Sequence, residues 1–153
     1  MKALLAKIVE KRKLKDFDGM LEIFRELESH NYLLPPRFAV LKSRAIQLTD
    51  DTYDYDLRDA ELCLLEAIEN DENYVPAHID LGFYYYAVED DSEKALGYFE
   101  QAINKSVSHL REAIIGKAKA LADLDRHQEA LACLNENVIA EADFGLIREE
   151  LSS

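Results

Sequence analysis

The chain has 153 residues, 48% of them hydrophobic and 32% charged, with a formal net charge of −13. That apolar share excludes a disordered chain. With only five glycines and three prolines it also favours long helices over a turn-rich β architecture. The acid excess repels phosphate backbones, which excludes nucleic acid as a natural partner and steers cationic proteins instead.

The first predicted helix covers 2–13, with Leu4, Leu5, Ile8 and Val9 as its stripe. Residues 1–15 carry six cations against Glu10 alone, net +5, so the remainder holds −18. This basic helix could touch an anionic surface or the acidic body of a second copy, giving self-association. The simpler reading makes it the inner face of a first hairpin. Asp16-Phe17-Asp18-Gly19 is a turn and N-cap, and a second helix carries Met20, Leu21, Ile23, Phe24 and Leu27. Asn31 and Pro35-Pro36 end that hairpin. A third helix, about 37–49, offers Phe38, Leu41, Ala45 and Leu48, and an acidic loop, Asp50 to Asp56, follows it.

Further helices are predicted at 57–70, from Pro76 to Val88, and at 93–104, 110–124 and 127–137. An amphipathic piece at 140–151, with Ala140, Phe144, Ile147 and Leu151, reads as a cap over the last hairpin. Nine helices result, four hairpins plus one.

The strongest signal is periodic. Ala60, Ala95 and Ala130 stand 35 residues apart. Each is followed four residues later by a large apolar residue (Leu64, Phe99, Leu134), and four beyond that by Ile68, Ile103 or Val138. A fixed period of this size marks a helical-repeat array, in which one unit cannot bury its apolar face alone.

Residues 73–102 give the pattern a name. Leu81-Gly82, Tyr85, Ala95, Phe99 and Ala102 resemble the small, large and aromatic positions of a tetratricopeptide repeat. His78 stands where that family has tryptophan, and Val107 where it has proline. Ile114, Ala118, Leu121, Ala130 and Leu134 fit a fourth unit, and Leu41, Ala45, Leu48, Ala60, Leu64 and Ala67 a second. Leu4, Ile8, Phe17, Met20 and Phe24 fit a first. The resemblance implies an all-α, right-handed α-α superhelix of about four helical hairpins plus a C-terminal capping helix. It forms one domain over 1–153, with units near 1–34, 36–72, 73–109 and 110–138 and the cap at 140–151. It further implies a concave groove that accepts a segment of a partner protein.

On the third unit Ile79, Phe83 and Tyr86 form a second apolar stripe opposite Ala77, Leu81, Tyr85 and Val88. The stripe either packs on an adjacent repeat or faces a partner. Matching groove positions are Lys42 and Ile46 in the second unit, Asp80 in the third, and Glu112, Ile115 and Lys119 in the fourth. Some family members clamp acidic peptide ends with groove cations. Leu5, Val9, Ile79, Asp80 and Phe83 at those positions point instead to a basic or apolar segment.

Catalytic and metal signatures are absent from the sequence. His30, His78, His109 and His127 have no paired spacing, and Asp54-x-Asp56 lacks the glycine and final glutamate of a calcium loop. No phosphate-cradling or nucleophile-elbow motif occurs. Cys63 and Cys133 lie two periods apart, about 20 Å by helix packing, too far to pair. Two free thiols suit a reducing cytoplasm. No stretch reaches the roughly 18 apolar residues of a membrane span, and Lys7 interrupts the N-terminal apolar run, so no secretory signal is expected. The expectation is a cytoplasmic, non-enzymatic adaptor with no cofactor or metal, binding another protein and neither nucleic acid nor membrane. The alternative is an acidic stoichiometric inhibitor, of immunity or antitoxin type, that masks a basic enzyme.

Overall fold

The computed structural model describes residues 1–49 and 55–135, and every regular element among them is an α-helix. In chain order these are α1 (Lys2–Lys13), α2 (Phe17–Ser29), α3 (Pro36–Leu48), α4 (Leu57–Asn70), α5 (Val75–Ala87), α6 (Ser92–Asp123) and α7 (His127–Asn135). The expected cap at 140–151 and most of the acidic loop lie outside the described residues. The chain divides into two compact units, Met1–Ser106 and Val107–Ser153.

Local chemistry explains where these helices start. The Asp16 carboxylate accepts the Gly19 amide at 2.8 Å, and Asp91 accepts that of Lys94 at 2.9 Å. Asp56 and Asp59 form a reciprocal capping box at the head of α4. Pro36 and Pro76 occupy first-turn positions, where a missing amide hydrogen costs nothing.

Helix ends share another device. Lys15, Asn31, Asp90 and Asp125 adopt left-handed backbone, with φ of 55°, 52°, 54° and 61°. The next amide in each case reaches back to a helix carbonyl: Asp16 to Lys11, Tyr32 to Leu27, Asp91 to Tyr85 and Arg126 to Leu121, at 2.9–3.2 Å. Three of these bonds span five residues and the Asp91 bond spans six, so a similar but not identical C-terminal turn recurs, and it satisfies carbonyls that would otherwise be orphaned.

The expected break between 104 and 110 does not occur, and α6 runs continuously for 32 residues. The reason is local. Asn104 to Leu110 contains neither glycine nor proline, and Val107 stands where a proline would stop the helix. The Ser106 hydroxyl donates to the Ala102 carbonyl at 2.8 Å, a bond that fits within a continuing helix.

In the first unit each helix from α1 to α5 packs on the next, and α3 also meets α5. Ile8, Met20, Phe24, Leu27, Leu64 and Leu81 fill the core. The small positions of the 35-residue pattern are buried as expected: Ala60, Ala67, Ala95 and Ala102 let helices approach. Gly82 does the same for α5 and α6, since a Cβ there would lie 2.7 Å from the Phe99 ring.

Two apolar expectations fail. Leu48 is exposed, and so is Ile103. Lys94 approaches Glu61 at 4.0 Å and Lys105 approaches Glu72 at 3.4 Å, which fixes the side of α6 turned toward α4 and its C-terminal turn. Ile103 lies on the opposite side, at 100° per residue.

Candidate functional site

A concave surface of the first unit lies between α3 and α5. Arg44, Gln47 and Leu48 come from one turn of α3, and Asp80 and Phe83 from one turn of α5; together they line a cavity of about 210 Å³. Arg44 crosses from one helix to the other. Its Nε donates to Asp80 Oδ2 at 2.5 Å and its Nη2 to Oδ1 at 2.7 Å. This two-point hydrogen bond raises the already high guanidinium pKa, against an opposing effect of burial. The site's two charges thus neutralise each other.

Beside this pair runs the apolar stripe. Ile79, Phe83 and Tyr86 are all exposed, Phe83 by 58%, and they span about 10 Å of α5. Phe83 is nevertheless held in place, because its ring meets that of Phe99 edge-on, with centroids 5.0 Å apart and planes at 76°. An exposed ring that is already ordered gives up little freedom on binding. Among the three successive tyrosines, Tyr84 and Tyr85 are buried and Tyr86 is accessible.

Lys42 and Ile46 do not join this surface, contrary to the sequence expectation. Both are buried. Lys42 donates to Glu28, and its Nζ lies 4.3 Å from the Tyr55 ring centroid. The physical reason is that α3 is packed by α2, α4 and α5 together, which leaves it only a narrow open strip. That strip carries Arg44, Gln47 and Leu48, none of which was singled out from sequence as a binding residue. A usable signal existed: Arg44 and Asp80 are opposite charges 36 residues apart, within one residue of the repeat period. Lys119 is exposed on α6, whereas the side chains of Glu112 and Ile115 fall outside the described residues.

Three phenols, Tyr84 and Tyr85 buried and Tyr55 half-buried, brace the same unit. Tyr55 donates to Glu28 at 2.7 Å and Tyr84 to Glu89 at 3.0 Å, and Tyr85 donates to Glu61. Burial first, and the carboxylate acceptor second, push all three above the ordinary tyrosine value. Folding therefore favours the neutral phenols. Their contribution is complete below about pH 10 and is lost as pH rises beyond it. The urea midpoint should accordingly fall above about pH 10, with phenolate absorbance appearing as the protein unfolds. Ionisation of all tyrosines with an unmoved midpoint would contradict these pairings.

The Cys63 thiol is buried and pushed up to about 11, chiefly by desolvation, so it is no nucleophile. Among the described residues no cluster of three or more His, Cys, Asp or Glu could hold a metal. No described helix is long and apolar enough to cross a membrane. No protein-family model matches the chain, and no curated protein or solved structure is significantly similar to it.

Proposed function

We propose that the chain is a tetratricopeptide-like interaction module that holds a segment of a partner protein along α3 and α5. The observation that carries this reading is the ordered, exposed stripe Ile79–Phe83–Tyr86 beside the Arg44–Asp80 cavity. Such a strip costs free energy in water and recovers it when covered. Three features support the repeat reading: buried small residues at the 35-residue period, helix-by-helix packing, and the added α3–α5 contact between alternate helices. The role is adaptor-like and non-enzymatic. A reducing cytoplasm would keep Cys63 a thiol.

A second reading draws on charge. In the second helix Asp18, Glu22, Glu26 and Glu28 face Arg25 alone, and in the fourth Asp59, Glu61, Glu66 and Glu69 face Arg58 alone. Two acid-rich helices of this kind suit an inhibitor that masks a basic enzyme. Affinity capture from cell extract separates the two, using the wild type and Phe83→Glu at low and high salt, after circular dichroism shows the variant folded. The groove reading expects one dominant partner whose affinity falls about 30-fold or more with Phe83→Glu and depends weakly on salt. A basic partner kept by Phe83→Glu but released by salt would replace it with the acidic-mask reading.

A further inference from the structure

The outer face of α1 is basic. At 100° per residue Lys2, Ala3, Ala6, Lys7, Glu10 and Lys13 share an arc of about 140°, and all six are exposed. Buried Ile8 lies on the opposite side, where α1 packs on α2. Of the six cations in residues 1–15, only Lys11 is in an ion pair among the described residues, with Asp16.

A face of opposite character lies on the first turns of α6, in the same compact unit. Glu93, Leu96, Glu100 and Ile103 fall within an arc of about 80°, and all four are exposed. Ala95 and Ala102, on the other side of the helix, are the buried residues. Glu93 and Glu100 take no ion pair among the described residues. From Glu89 to Glu100 five acids stand against Lys94 alone, net −4. That lysine is already turned to the Tyr85 ring, 3.8 Å from its centroid.

The two faces match in shape and in sign. Ala3 and Ala6 leave a shallow strip between lysines, and Leu96 and Ile103 raise an apolar strip beside two carboxylates. Both faces are exposed in the single chain, so they do not cover each other within it. A nucleic acid or an anionic lipid surface would meet α1 but leave Leu96 and Ile103 in water, and it would repel a chain of net charge −13. A second copy covers both faces at once.

We infer that the outer face of α1 docks on the face of α6 formed by Glu93, Leu96, Glu100 and Ile103 in a second copy of this chain. The contact joins unlike faces head to tail. It uses neither α3 nor Phe83, so it stands or falls separately from the proposed groove.

Sedimentation equilibrium on the full-length chain, at low and high salt, tests it. The wild type should associate reversibly at low salt and dissociate at high salt. Lys7→Glu with Lys13→Glu on α1, and Glu93→Lys with Glu100→Lys on α6, should each weaken association about tenfold or more. Helicity by circular dichroism should be unchanged in both, because all four residues are exposed. An equal mixture of the two double variants should associate again, since each then supplies the charge that the other's face requires. A chain monomeric at every concentration would overturn the inference, and its capture by vesicles of anionic phospholipid through Lys7 and Lys13 would assign the basic face to a membrane. Association indifferent to either charge reversal would overturn it as well. A mixture that stays monomeric would show that α1 does not meet α6.

Discussion

Glu28→Ala should destabilise the protein by about 3 kcal/mol, whereas Lys42→Met should change its stability by less than about 1 kcal/mol. The asymmetry follows from where each charge sits. Lys42 is buried on α3, while the Glu28 side chain is 41% exposed on α2. The carboxylate accepts from Lys42 and also from the Tyr55 hydroxyl at 2.7 Å. Removing it strands an ammonium group away from water with only the Tyr55 ring face, 4.3 Å from Nζ, to offset the desolvation. Removing the ammonium instead leaves a carboxylate that water can reach and that keeps its bond from Tyr55. Methionine also fills most of the lysine's volume without its charge. Urea midpoints at constant m measure both losses. Equal losses for the two variants would show that burial of the lysine is not what sets the energy.

Gly82→Val should cost about 3 kcal/mol, because it overpacks the contact between α5 and α6. Even the first carbon of any side chain there would stand 2.7 Å from the nearest Phe99 ring atom, and valine adds two methyl groups beyond it. The Phe99 ring is already engaged edge-on with Phe83, so displacing it also disturbs the proposed binding stripe. The mechanism makes a second prediction. Phe99→Ala is destabilising alone but opens the space that valine needs, so the double variant should be more stable than the summed losses by about 1 kcal/mol or more. Strictly additive losses would point to helix propensity in α5 rather than a clash.

These two positions also show how far the sequence could be read. Gly82 was legible: a glycine inside an apolar helix, followed by Phe99 at the repeat's aromatic position, announces a close approach of two helices. The buried Ala60, Ala67, Ala95 and Ala102 were legible for the same reason, since small residues at a fixed period mark where backbones meet. The Asp16, Asp56 and Asp91 caps were readable too, because they act within three residues of themselves.

Lys42 was not legible. A lysine on a helix normally reads as a solvated position, and only its distant partners Glu28 and Tyr55 show otherwise. The binding strip was displaced for a similar reason. Lys42 and Ile46 give way to Arg44, Gln47 and Leu48, because covering a third side of α3 turns its open strip by part of a turn.

The sequence by itself determined that the described chain is helical, where most of its helices begin, and which small residues allow close packing. Those features depend on neighbours within about four residues: carboxylates that cap amides, prolines in first turns, and apolar residues at helical spacing. Tertiary structure decided which faces are covered, that Arg44 pairs with Asp80, and that Ile103 stays exposed. Burial is a property of what lies opposite a side chain, and residues far apart in sequence supply it. The uninterrupted course of α6 lies between the two. Its cause, a missing breaker at Val107, is local, but repeat periodicity pointed to a turn there, and hydrogen bonding along the backbone prevailed.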